Sequence, residues 1–197
     1  MNINLLIDVL PEELLIDGVQ YKIETDFTTI ILLEQLLSDN TVPSSFKGEE
    51  MLNLIFPEEK PLLNDETAKQ IEWFYRCGFV ENEKRKEAIA KRNQKSRRLN
   101  EQVYDFEFDA PYIFAAFMQC YHIDLTETSM HWWKFKALFD SLDRECQFVK
   151  IMGYRSVDLN QVKDKSERKR MATLQTMYAL PSKLSAEEKA TRIGSMF

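Results

Sequence analysis

His131-Trp132-Trp133-Lys134-Phe135-Lys136-Ala137-Leu138-Phe139 is the densest aromatic stretch of the chain, holding two of its three tryptophans. Trp132, Phe135, Leu138, Phe139 and the following Leu142 recur at helical spacing, which predicts a helix from Met130 to about Leu142 with an apolar stripe facing a core. Thr128 or Ser129 can cap its start. Trp133 lies about 100° further round, beside Met130 and Ala137, and Lys134 falls on the more polar side. Two adjacent indoles cannot point the same way, so either the core takes both or one stands at its edge. An indole at a core edge suits a protein interface, which makes Trp133 and Lys134 candidate partner-binding residues. On that reading, truncating Trp133 costs less stability than truncating Trp132. By sequence order, the C-terminal part of the chain is expected to pack around this helix.

Working outward, the same style of pattern repeats on both sides. Asp109 can cap a helix with Pro111 in its first turn, and Tyr112 to Met118 is apolar nearly all round, as a central buried helix would be. Before it, Tyr104, Phe106 and Phe108 alternate with Asp105, Glu107 and Asp109, which predicts a short strand or extended entry segment. After the tryptophan helix, Asp143 to Met152 reads as a helix ended by Gly153. A further helix runs through Ala179 and stops before Pro181, and Ser185 with Glu188 has the form of a capping box.

The N-terminal part opens on Leu14-Leu15-Ile16, Asp17-Gly18, and Val19 to Ile23, a β-hairpin in which Asp-Gly supplies the positive-φ turn. Val19, Tyr21 and Ile23 give its second strand one apolar face. Thr25 or Asp26 can cap a helix to about Leu37, apolar on more than one face. A loop from Asn40 to Lys47 precedes a short helix from Glu49 to Phe56, and Asn64 can cap a helix with the stripe Ala68, Ile71, Phe74, Tyr75 and Cys77 or Gly78. The fold class is therefore mainly α, a helical bundle with a small N-terminal β-hairpin. Residues 81–100 change character: Lys84, Arg85, Lys86, Lys91, Arg92, Lys95, Arg97 and Arg98 dominate them. They read as a solvated helix or charged linker dividing residues 1–80 from 101–197, although the two parts can equally form one continuous domain.

Composition bounds the function classes. The chain has 197 residues, 44% hydrophobic and 29% charged, enough for a sizeable core and too apolar for wholesale disorder. Only 5 glycines and 6 prolines favour helices over a turn-rich β-fold. The net charge of -6 argues against non-specific nucleic-acid binding by the whole chain. A local basic grip on phosphates at 84–98 would lack interleaved aromatics for base stacking. Three cysteines without a C-x-x-C pair suit a reducing, intracellular setting. The N-terminal run Leu5-Leu6-Ile7-Asp8-Val9-Leu10 lacks the basic flank of a signal peptide, and no run approaches the roughly 18 apolar residues of a membrane span.

Nothing points to catalysis or a cofactor. Two histidines, His122 and His131, stand apart from the cysteines, so no zinc-ligand cluster is legible. There is no nucleophile elbow and no glycine-rich phosphate loop. Asp105, Glu107 and Asp109 on one strand face can hold a hard cation, but their spacing is not that of a calcium loop, and a solvated face followed by a helix cap accounts for them. The chain reads as non-enzymatic, with no metal and no cofactor.

Several stretches together carry a family resemblance. They are Asp109-Ala-Pro-Tyr-Ile-Phe-Ala-Ala-Phe117, Ile123-Asp-Leu125, the opening His131 to Phe139, Phe148-Val-Lys-Ile-Met-Gly-Tyr-Arg-Ser156 and Asp158-Leu159. With these the chain resembles the phage "gene product fifteen" family of long-tailed phages and prophages of Gram-positive bacteria, most densely over 104–160. The resemblance implies a role in tail morphogenesis. Genes of this family lie between those of the major tail protein and the tape-measure protein, where tail assembly chaperones are encoded. The implied partners are the tape-measure protein and the major tail protein, in the host cytoplasm during assembly. A homo-oligomer is compatible with this, and no membrane is involved. The family offers no catalytic residue to transfer. The basic residues Arg85, Lys86, Arg92 and Arg97 join Trp133 and Lys134 as candidate partner contacts. A structural connector retained in the virion and a nucleic-acid-binding protein are the alternatives.

Overall fold

The computed structural model describes residues 3–78 and 103–181. Arg85, Lys86, Arg92 and Arg97, with the rest of the basic stretch, and the Ser185–Glu188 capping box lie outside the described residues. The described elements are a hairpin and seven helices, mainly α with a small β-hairpin. They are β1 Glu13–Ile16, β2 Val19–Lys22, α1 Phe27–Ser38, α2 Ser44–Ile55, α3 Asp65–Tyr75, α4 Ala110–Tyr121, α5 Trp132–Asp140, α6 Gln147–Ser156 and α7 Lys165–Met177. They fall into two compact units. The first holds the described residues up to 78 together with 129–140, and the second holds 103–128 and 141–181.

In the first unit, β1 and β2 pair antiparallel from Glu13 opposite Lys22 to Ile16 opposite Val19. Asp17 (φ 50°) and Gly18 (φ 83°) are both left-handed, as a tight two-residue turn requires. Leu14, Ile16 and Ile23 are buried, whereas Val19, at the turn end, is half exposed. Asp26 caps α1 through the Thr28 N–H at 3.0 Å. The helix buries Phe27, Ile30 and Leu33 on one face only, and Leu32 and Leu37 stand half exposed, against the expectation of burial on several faces. Helix α2 begins at Ser44, five residues before the expected Glu49, because Pro43 supplies a fixed φ at the entry and the loop before it is short. In α3 the Asn64 side chain accepts the Thr67 N–H at 2.9 Å. Thr67 is buried where the stripe placed Ala68, and its hydroxyl donates to the Leu62 carbonyl. Helix α1 packs on α2 and on α5, and α3 packs on β1.

In the second unit, α4 packs on α6 and α6 on α7. Helix α4 buries Ile113, Ala116 and Phe117, but Met118 is exposed, so it is one-faced rather than enclosed. The predicted strand at Val103–Asp109 is a turn. The Asp105 carboxylate accepts the N–H groups of Glu107 and Phe108, each at 2.9 Å, and folds the chain over itself. Phe106 is thereby buried and Phe108 turned outward, which breaks the alternation. Helix α6 starts at Gln147, after an Asp143-centred turn, and runs through Gly153 to Ser156. Gly153 does not take the left-handed conformation of a helix stop, so the helix continues through it. Helix α7 buries no side chain fully. Gln175 instead donates to the carbonyls of Tyr154 and Val157, satisfying the end of α6.

Candidate interaction surface

Helix α5 belongs to the first unit, although its place in the sequence assigns it to the C-terminal part. Its two indoles show why. Helix α3 ends in a Schellman motif: Gly78 N–H bonds to Trp73 O and Cys77 N–H to Phe74 O. Cys77, at φ 56°, takes the left-handed position that glycine usually fills. The remaining carbonyl capacity at this helix end is met from α5. Trp132 Nε1 donates to Tyr75 O and Trp133 Nε1 to Phe74 O, both at 2.8 Å. Trp132 stacks on Tyr75 and Phe135, while Trp133 meets Trp73 edge to face. Both indoles are buried, at 1% and 4% exposure. Trp133 is therefore core, and the two rings diverge onto successive carbonyls of one helix end. Lys134 is exposed. Burial pushes the Cys77 thiol up to about 12, so it is an inert packing group.

Gly78 (φ 74°) closes this corner. A Cβ there would stand 2.9 Å from the far edge of the Trp133 ring. Gly78→Ala therefore combines left-handed strain of about 1–2 kcal/mol with overpacking of about 1–3 kcal/mol. Urea unfolding should show a loss of at least about 2 kcal/mol. A neutral result would mean that the corner can shift.

The start of α5 is tied to the start of α1. Asp26 accepts from Ser129 Oγ at 2.7 Å and from the Met130 N–H at 3.0 Å. Burial opposes its ionisation, but the hydrogen bonds from Thr28, Ser129 and Met130 together outweigh that and hold its carboxyl below the usual range. His131 links the same helix start to the chain before β1: its ring lies 3.1 Å from Pro11 O, and its Nδ1 accepts the Trp133 N–H at 3.1 Å.

Ahead of Pro11 stands the most apolar exposed segment among the described residues. Leu6, Ile7 and Val9 are 90%, 80% and 89% exposed. They are not a loose end. Asn4 N–H donates to Asp8 Oδ2, Leu6 N–H to Asn4 Oδ1, and the N–H groups of Ile7 and Asp8 to Asn4 O, which closes one hydrogen-bonded turn. Large side chains held out by a closed turn mark an interaction site more than a folding core. Sequence reading noted this run only as an unsuitable signal peptide. The signal it carried was a run too short for a helix, flanked by turn-forming Asn4 and by Pro11. Lys134 lies on the same helix end as the His131 anchor and is exposed.

Among the described residues no group of three His, Cys, Asp or Glu side chains is placed to hold a metal ion. Asp109 is wholly buried, and both its oxygens face Arg155, at 2.6 and 2.8 Å. No described helix is long and apolar enough to cross a membrane. Neither a curated protein nor a solved structure matches the chain. A family model described as "Bacteriophage Gp15 protein" matches residues 6–180, a span that takes in the apolar turn from Leu6, the α3 corner, the tryptophan pair and the Asp109–Arg155 pair. With nearly the whole sequence under that match, this chain belongs to the bacteriophage Gp15 protein family.

Proposed function

We propose that this phage protein is a non-enzymatic tail assembly chaperone that binds the tape-measure protein in the host cytoplasm. The observation that carries the reading is the closed N-terminal turn holding Leu6, Ile7 and Val9 in solvent. A tape-measure chain presents long amphipathic segments before the tail tube encloses it. Protruding aliphatic side chains on an anchored turn suit such a partner. Exposed Lys134, and Arg85, Lys86, Arg92 and Arg97 in the basic stretch, add charged contacts. Family membership supports the phage context. The major tail protein is a second expected partner.

Co-expression tests the proposal. The cognate tape-measure protein should stay soluble with this chain and co-purify with it, and should precipitate without it. Leu6→Ser combined with Ile7→Ser should leave folding within about 0.5 kcal/mol of the parent, since both side chains are exposed. The same variant should capture markedly less tape measure. A tape measure equally soluble with and without this chain would sink the chaperone reading. Stoichiometric presence in purified virions by mass spectrometry would replace it with a structural connector. Retention of DNA in a gel shift at physiological salt would replace it with nucleic-acid binding.

A further inference from the structure

We propose that Cys120 and Cys146 are a redox-sensitive thiol pair, which a low-molecular-weight disulfide oxidises to an internal disulfide tying the end of α4 to the start of α6. The pair lies wholly within the second unit and acts whatever the partner of the chain. Cys120 is the penultimate residue of α4, and Cys146 immediately precedes α6. These two helices pack on each other. The Cys146 thiol hydrogen-bonds to the Cys120 sulfur. Both sulfurs also act on the Tyr121 hydroxyl, which locates them at the same end of α4.

The two thiols differ in access. Cys120 is half-buried, whereas Cys146 is fully buried, so an oxidant meets Cys120 first. Cys120 loses its proton to solvent and attacks one sulfur of the small disulfide R–S–S–R. That S–S bond breaks, R–S⁻ leaves with the electron pair, and Cys120 Sγ is left bonded to S–R. Cys146, already against the Cys120 sulfur, then gives up its own proton, attacks that sulfur and expels the second R–S⁻. Two protein thiols are oxidised, two electrons pass to the small disulfide, and it leaves as two R–SH once the protons are taken up. Burial, reinforced by the bond to Cys120, raises the Cys146 thiol and keeps it unreactive in the resting protein. The Val149 and Phe148 amides at the start of α6 work the other way and favour the thiolate that the second step needs.

Closure also changes the path of the chain. Cys120 and Cys146 enclose residues 121–145, and with them the whole of α5, the helix that belongs to the first unit. Oxidation turns that excursion into a covalently closed loop. The unfolded chain then has less freedom to gain, which favours the folded state.

Incubation of the full chain with oxidised and reduced glutathione, followed by acid quenching and non-reducing peptide mapping, tests this. Free thiols should fall from the three of the reduced chain to one, that of Cys77. A peptide joined through Cys120 and Cys146 should appear, and dithiothreitol should remove it. Cys120→Ser, at the half-buried position, should fold and leave Cys146 unmodified. Cys146→Ser should stop at a glutathione adduct on Cys120. Hydrogen exchange at α4 and α6 amides should show the opening constant of this unit falling about a hundredfold on oxidation. Retention of all three thiols by the folded chain would overturn the proposal, as would linkage through Cys77. So would a glutathione adduct that persists on Cys120 with Cys146 present, or an oxidised form that opens more readily than the reduced one.

Discussion

Asp109→Asn and Arg155→Lys should each destabilise the second unit by about 3–5 kcal/mol, the cost of leaving one member of a buried pair alone. The pair is as enclosed as any among the described residues: the Arg155 side chain is 6% exposed and that of Asp109 is fully buried. Four hydrogen bonds radiate from the guanidinium. Nη1 and Nη2 hold the two Asp109 oxygens, Nη1 also reaches Val103 O at 3.0 Å, and Nε reaches Tyr178 O at 2.6 Å. One side chain on α6 thus fastens the entry segment, the start of α4 and the end of α7. Lysine supplies a point charge without the fork, so it cannot replace four bonds directed at three partners. Asparagine keeps the shape of Asp109 but leaves the guanidinium without its counter-charge. Asp109 also accepts the Asp105 N–H at 3.0 Å, so its loss should loosen the turn that buries Phe106. Native-state hydrogen exchange at α4 and α6 amides measures the effect on this unit alone. The double variant Asp109→Asn/Arg155→Met should cost less than the sum of its singles. Single losses below about 1 kcal/mol would put the pair in the class of solvent-screened surface bridges.

Trp132→Ala and Trp133→Ala should each cost about 3–5 kcal/mol. Spacing alone predicts a smaller loss for Trp133, as a ring at the core's edge. The structure removes that asymmetry, because each ring is buried and each indole N–H meets its own carbonyl at the end of α3. Truncation therefore opens a cavity and also strips a hydrogen bond from a helix terminus. Phenylalanine at either position separates the two contributions, since it refills most of the volume without the donor. It should recover more than half of the loss. A Trp133→Ala variant within about 1 kcal/mol of the parent would show that the α3 corner closes without it.

What was legible in the sequence was local. Asp17-Gly18 encodes its turn within two residues. Asp26 and Asn64 accept amides two or three residues away, so the helices they open could be read directly. What was not legible depends on partners far along the chain. The alternation of 103–109 is the same in a strand and in a turn folded by Asp105, and only the distant Arg155 shows where Asp109 points. Spacing leaves Trp133 open between core and edge because the carbonyl that receives it lies 59 residues earlier. The N-terminal turn was missed because an apolar run normally signals burial, and its exposure is visible only once the rest of the first unit has closed without it.

Discontinuity of the first unit also sets an order of events during synthesis. Residues 3–78 emerge from the ribosome well before α5, the helix whose indoles close α3 and whose Phe135 stacks on Phe27. About sixty further residues must be made first, roughly 3–12 seconds at about 5–20 residues per second. For that interval Phe27 and Phe74 have no Phe135 or Trp133 to cover them. The nascent chain thus passes through a stage with an open aromatic seam, and its yield in the cell should fall as translation slows between codons 79 and 140.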